Sequence, residues 1–428
     1  MRGYLSPTEF RTRGRIPAQL ATLLGTAVLA VFLMLSVLPD EPLVDEHYHL
    51  AQIRSINSDE FARVPYLTTP LGYHFSVALP ARLLGVESLR GLRAISATWA
   101  LLSLVLAWFF LLRHGASRPL LRSLQVLLCP LVWPFCFLLY TDLGALTLVL
   151  AALVAFGSRS FWTAAAIGTL ALAWRQTNVF WSGLLWLMAL HQAGVWQTPG
   201  ALNWRSLLHR VRVRAVPALQ SSWMLMLPLV VFVAFVILNQ GVALGDREAH
   251  RFGQAVYPGQ VFFMLLVVWL VLLPLHAANL ARIAELLGRR PWVGLLIAAL
   301  GVLYLTTFSV THFYNLGLPE FHLRNRVLGW MVDHHWFRLL AFAGMAWALL
   351  SIAVTRLKDP AGYWLYPVTI LALLPVELIE QRYYIVPAIL FLLFRQPRGA
   401  TVEWSVLAWF AGLSAAVTAA IASQDYFL

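Results

Sequence analysis

Five short polar clusters interrupt long apolar runs, and their residue types suit the transfer of a group away from a phosphate. The first is Asp45-Glu46-His47-Tyr48-His49, with Gln52 just beyond it. The second is Tyr140-Thr141-Asp142 and the third Trp174-Arg175-Gln176-Thr177-Asn178. The fourth is Gly245-Asp246-Arg247-Glu248-Ala249-His250-Arg251, and the fifth gathers Glu377, Glu380, Gln381, Arg382 and Tyr383. A carboxylate can take the proton of an attacking hydroxyl. Guanidinium forks can hold a departing phosphate. Each cluster also has a plainer reading. Asp45 and Glu46 can be an acidic cap in a solvated loop, or can join His47 and His49 in a metal site, although a spacing of two suits a strand better than a helical ligand pair. Residues 246–251 can be a hydrated hairpin. Arg175 and Arg382 stand at the edges of apolar runs, where a guanidinium must snorkel, pair or bind an anion; pairing of Arg382 with Glu380 or Glu377 is the simple alternative.

The clusters need elements to carry them, and composition says what those are. Hydrophobic residues fill 60% of the 428 positions and charged residues only 12%, about half the share of a soluble domain. So few charges cannot cover a water-facing surface, so the bilayer must be part of the solvent. Eighteen Trp and thirteen Tyr fit membrane interfaces. The fold class expected is an all-α polytopic membrane protein. Runs of span length, about 15–22 residues, fall near 17–39, 94–112, 120–140, 142–157, 160–174, 178–191, 223–240, 258–276, 292–310, 337–355, 362–377, 383–394 and 404–421, about thirteen spans. The first run lacks a small-residue cleavage pattern and reads as an uncleaved span. Cys129 and Cys136, in one apolar run, suggest neither a disulfide framework nor a metal site.

The net charge of +12 would suit nucleic acid if it were one patch. Instead the basic residues sit in short clusters between apolar runs, the pattern of topology control. Arg2, Arg11, Arg13 and Arg15 place the N-terminus in the cytoplasm. Segment 71–85 decides the rest. If it lies in the interface rather than crossing, 19 of the 31 basic residues fall inside and 15 of the 19 carboxylates outside. On that reading 40–93 is one long external loop with a juxtamembrane helix, 192–222 is a basic cytoplasmic loop whose plain role is to face anionic lipid, and all five polar clusters are external. No internal repeat or linker divides the chain, so it reads as a single integral membrane domain. Glycosyl transfer from a lipid-phosphate sugar uses this set: a carboxylate base in the first external loop, Arg and His donors from later loops, and a groove for the lipid. Arg175, Arg247, His250 and Arg382 are the candidate contacts to the donor's phosphate or sugar. His47, His49, Gln52, Asp142, Gln176, Asn178, Asp246 and Glu380 are further candidates. The competing class is a transporter or lipid-glycan flippase, which commonly shows paired repeats and broken helices near the midplane; here the carboxylates and most motif Arg fall at external helix ends, which favours an enzyme.

The order of motifs resembles a known family. Asp45-Glu46-His47-Tyr48-His49 with Gln52, then Thr68-Thr69-Pro70-Leu71-Gly72-Tyr73, is similar to the opening loop of the dolichyl-phosphate-glucose α-1,2-glucosyltransferases. The likeness continues through Phe137–Asp142, Trp174–Trp181, Asn239-Gln240-Gly241 and Gly245–His250, and ends in Glu380–Pro387. It implies the GT-C glycosyltransferase architecture and an inverting, single-displacement transfer from a polyprenyl-phosphate-linked glucose to a lipid-linked glycan, with no obligatory metal or other cofactor. By position it makes Asp45 the general base and Glu46 the other candidate. The family's late Asn-Arg-His-Tyr stretch is replaced here by Leu318-Pro319-Glu320-Phe321-His322-Leu323. The single Lys among 31 basic residues points to a GC-rich, bacterial genome. Depending on source, the donor lipid is undecaprenyl or dolichyl phosphate, and the membrane the bacterial inner membrane or the endoplasmic reticulum, with the site facing the periplasm or the lumen.

Overall fold

The computed structural model describes residues 7–196, 211–247, 253, 255–317 and 321–427. Among them the regular structure is helical, with only two isolated β-bridges. Five helices are long and apolar enough to cross a membrane: Ile16–Val37, Leu89–Arg113, Arg212–Asn239, His335–Val354 and Ala400–Ala422. A sixth candidate is a bent pair, Leu280–Arg289 and Trp292–Thr307, at 105° to each other. The shorter apolar helices include Thr141–Gly157, Phe161–Leu172 and Pro258–Val271. This is a multi-pass membrane protein: Phe32, Leu83, Leu238 and Leu295 are each at least 70% exposed, and only lipid makes such a surface affordable.

Several expected spans are shorter than their apolar runs. The run 120–140 is helical only over Pro119–Leu127 and then irregular through a 3-10 turn at Pro134–Cys136. Pro130 and Pro134 each lack the N–H that would continue the ladder. The run 258–276 breaks at Leu272 ahead of Pro274, giving Pro258–Val271 and Leu273–Ala278. Two short helices form the centre of the bundle. Thr141–Gly157 and Ile385–Phe394 are buried along most of their length and pack against each other, as expected of helices apolar on every side.

Segment 40–93 contains two helices. Glu46–Asn57 and Gly72–Leu84 pack on each other, and the second rests on Leu89–Arg113. Gly72 is required where it stands: its N–H donates to the Ala173 carbonyl at 2.9 Å, and a Cβ would lie 2.5 Å from that same oxygen. Gly245 has φ +61, and its Cβ would meet the Pro65 carbonyl at 2.2 Å. These two glycines let the third and fourth polar clusters lie directly against the first loop. Helix direction separates two ends of the molecule. Trp292–Thr307 begins beside Arg290 and finishes at Phe308, close to Phe313, which lines the main cavity. The Arg282, Arg289 and Arg290 cluster therefore lies at the far end from that cavity.

Candidate active site

Asp45 sits at the N-cap of Glu46–Asn57 with its side chain 36% exposed. It follows Val44, whose φ of +50 is a strained setting for a β-branched residue. Tyr140 fixes the turn: its hydroxyl accepts from the Asp45 N–H at 3.2 Å and donates to the Leu43 carbonyl at 3.4 Å. Asp45 opens on a cavity of about 640 Å³, within the usual range for small-molecule sites. One wall is charged, formed by Asp45, Asp142, Arg175, Arg324, Glu380 and Arg382. Another is apolar, with Ala145, Trp181, Leu373 and Val376.

The charged wall is a linked set of ion pairs. Arg382 Nη2 donates to Asp45 Oδ2 at 2.8 Å and its Nε to Glu380 Oε1 at 2.5 Å, while its guanidinium lies 5.1 Å from the centre of the Tyr140 ring. Arg324 reaches the same Glu380 oxygen at 2.9 Å. Arg175 pairs with Asp142 Oδ1 and lies 5.7 Å from the Tyr383 ring. Burial alone would raise the Glu380 carboxyl, but Arg382 and Arg324 hold it down at about 2. Two carboxylate oxygens, Asp142 Oδ2 and Glu380 Oε2, are buried and have no partner. The N-terminal ends of Thr141–Gly157, Val179–Gln192 and Ile385–Phe394 meet the cavity through Tyr140, Asn178 and Tyr383. Their dipoles favour an anion there. The arrangement provides a partly exposed carboxylate and three guanidiniums.

The two adjacent carboxylates have separate fates. Glu46 is fully buried and does not line the cavity. Arg93, also fully buried, grips both its oxygens at 3.0 and 2.6 Å, and the Leu43 and Leu139 N–H groups donate to them at 2.9 and 2.7 Å. Its acceptor capacity is spent inside the protein.

Of the remaining sequence candidates, His49 lines the cavity and contacts His74, while His47 is exposed on the outer side of the same helix. The two histidines therefore do not converge as a ligand pair. Gln52 pins the 62–64 strand of chain, accepting from the Val64 N–H at 2.8 Å and donating to the Ala62 carbonyl at 3.2 Å. Gln176 lines the cavity and ties two loops together, donating to the carbonyls of Thr68 at 2.7 Å and Val242 at 3.0 Å. Asn178, also in the wall, donates to the Ala171 carbonyl across the helix break. Asp246 and Arg247 do not line the cavity; Arg247 is exposed and donates to Asn239, at 2.6 Å to its carbonyl. His250 lies outside the described residues. Sequence reasoning missed Arg93, Tyr140's anchoring role, His322 and Arg324. Arg324 follows directly on the 318–323 stretch where the family resemblance fails, so motif matching ended one residue too early. The signal for Arg93 was available, as an arginine at the mouth of an apolar run.

Fold and site together define a polytopic membrane protein with a charged cavity at one end of its helices and an apolar wall beside it. Residues 39–393 match the DIE2/ALG10 family, and the chain belongs to that family. It is 27% identical to a protein of Arabidopsis thaliana over 86% of this chain and 88% of that one, named Dol-P-Glc:Glc(2)Man(9)GlcNAc(2)-PP-Dol alpha-1,2-glucosyltransferase. Proteins of the same name from Mus musculus and Debaryomyces hansenii are 24% and 22% identical, covering 82% and 91% of this chain and 83% and 91% of theirs. No solved structure matches.

Proposed function

We propose that this protein is an inverting glucosyltransferase of GT-C architecture, moving glucose from a polyprenyl-phosphate donor to a hydroxyl of a lipid-linked glycan. The observation that carries the reading is Asp45 at the cavity wall, partly exposed and aligned by Arg382. In the reaction the acceptor oxygen attacks the anomeric carbon of a β-linked sugar as the bond to the phosphate oxygen breaks. The electron pair leaves with the phosphate, the hydroxyl proton passes to Asp45, and the product is an α-glucoside. Arg175, Arg324 and Arg382 receive the growing charge on the phosphate. Asp142 and Glu380 hold Arg175, Arg324 and Arg382 in place, and the Leu373–Val376 wall lies along the lipid. The relatives' names support a dolichyl-linked donor and oligosaccharide acceptor; the Arg-rich, Lys-poor composition supports undecaprenyl phosphate as the alternative lipid. The reading includes about thirteen spans in one domain, with 40–93 on the periplasmic or luminal side and 192–222 in the cytoplasm.

The test is transfer of radiolabelled glucose from a short-chain polyprenyl-phosphate-glucose to a panel of lipid-linked glycans. Transfer by the wild type that disappears in folded Asp45→Asn supports enzyme class and base together. Retained transfer in that variant removes Asp45 as the base.

A further inference from the structure

His49 lies one helical turn beyond Asp45, and its ring borders the same cavity. Its Nδ1 stands 2.9 Å from Nε2 of His74, on the neighbouring Gly72–Leu84 helix. Both rings are buried and neutral: burial, reinforced by Arg382 and Arg175, takes His49 down to about 3, and burial with His49 and Arg63 takes His74 well below its ordinary value.

Two neutral imidazoles share two protons among four nitrogens, and the contact needs one N–H facing one lone pair. If His49 Nδ1 were the donor, His74 would carry its own proton on Nδ1. That nitrogen is buried and has no partner, and an orphaned buried N–H is the rarer and costlier fault. The reverse arrangement leaves only a bare lone pair there. His74 Nε2–H then donates to His49 Nδ1, and His49 carries its proton on Nε2. Nε2 has no partner within the protein among the described residues and is the ring nitrogen open to the cavity.

We infer that His74 locks His49 in the Nε2–H tautomer, making it a neutral hydrogen-bond donor to an oxygen of the acceptor sugar. This rests on the transferase reading above. One helical turn rises about 5.4 Å, comparable with the width of a sugar ring, so a residue holding the attacking hydroxyl at Asp45 reaches His49 with its far side. A neutral donor suits a hydroxyl or ring oxygen, whereas the phosphate is served by the guanidiniums. His49 binds; His74 is a positioning residue.

Two measurements decide it. With 15N-labelled histidine, the ring-nitrogen signals of His49 and His74, assigned by their loss in His49→Phe and His74→Phe, should report protonation at Nε2 in both residues of the resting protein. A His49 signal protonated at Nδ1 overturns the lock. In kinetics, His49→Phe should raise the acceptor KM about tenfold and leave the donor KM unchanged. His49→Gln, whose amide N–H replaces Nε2–H, should restore most of it. His74→Phe should mix the His49 tautomers and raise the acceptor KM, whereas His74→Gln should preserve both. An unchanged acceptor KM in folded His49→Phe, with Asp45→Asn still inactive, overturns the inference and leaves the enzyme class standing. A wild type that transfers no glucose overturns the transferase reading and with it the sugar contact, while the nitrogen signals still decide the tautomer.

Discussion

Two arginine–carboxylate clusters occupy different ends of the molecule, and they differ in what their carboxylates leave unused. In the far cluster, Glu403 is 1% exposed and its Oε1 receives Arg395 Nη1 at 2.7 Å and the Arg398 N–H at 3.1 Å. Its Oε2 receives Arg395 Nη2 at 2.6 Å and Gln125 at 3.0 Å. Arg122 alongside donates to the carbonyls of Leu393 and Arg395 at the end of Ile385–Phe394, the sign of charge a helix C-terminus favours. Both oxygens of Glu403 are spent, as are those of Glu46 on Arg93. In the cavity cluster, Glu380 and Asp142 each engage arginine through one oxygen and leave the other bare. A buried bare acceptor costs free energy, and these two belong to residues that line the cavity. A saturated carboxylate holds the fold; a half-used one keeps acceptor capacity beside the cavity.

The widest gap should open between neighbours. Asp45→Asn should lower transfer about a thousandfold, the scale of a lost general base, with thermal stability little changed because Asp45 is partly exposed. Glu46→Gln should do the opposite, costing about 3 to 5 kcal/mol of stability by stranding the buried Arg93 charge. Melting temperature and single-turnover rate, measured side by side in detergent, check both. Loss of transfer in a fully stable Glu46→Gln would break the comparison.

Arginine tests the same division. Arg382→Lys keeps the charge but cannot reach Asp45 and Glu380 together as a fork, so transfer should fall about a hundredfold. Glu403→Gln should leave kcat unchanged in the folded fraction and lower the melting temperature. If Glu403→Gln slows turnover at constant stability, the far cluster is coupled to the chemistry and the rule of spent oxygens fails.

How much of this was legible in the sequence follows from the same physics. Helical, membrane-spanning structure was readable because apolar content and charge clustering act over long segments. Asp45, Asp142, Arg175, Gln176, Glu380 and Arg382 were singled out because polar residues at span ends stand out against the bilayer. What sequence could not separate was Asp45 from Glu46: adjacent side chains diverge, and which one meets Arg93 depends on the helix start after Val44. Arg324 went unseen because it approaches Glu380 across 56 positions of chain. The broken 120–140 run was signalled by its two prolines and overridden by its hydropathy.

Acid should distinguish the clusters more gently. His49 and His322 have folded values of about 3 and about 4, lowered first by burial and then by neighbouring arginines. Below their ordinary 6.5 the unfolded chain takes up protons that the folded site refuses. Stability therefore falls as pH drops from 6.5 towards 4, by about 1.4 kcal/mol per pH unit for each histidine. Glu380 adds to the loss below about 4.5 and down to its folded value of about 2, by the same reasoning. Melting curves between pH 7 and 4.5 should flatten in His322→Phe and flatten further with His49→Phe added. An unchanged slope would mean that these rings titrate normally and that the cavity is wetter than its packing implies.

The smallest effect concerns the fourth cluster. Arg247 is exposed, apart from the cavity, and engaged with Asn239, whereas Arg324 is almost buried at the cavity wall. Arg247→Ala should change transfer less than about threefold, the scale of an exposed pairing, while Arg324→Ala should lose about a hundredfold. The donor-lipid KM of the two variants is the deciding measurement. If Arg247→Ala raises it as strongly as Arg324→Ala, Arg247 shares in donor binding and the division between cavity wall and exposed cluster fails.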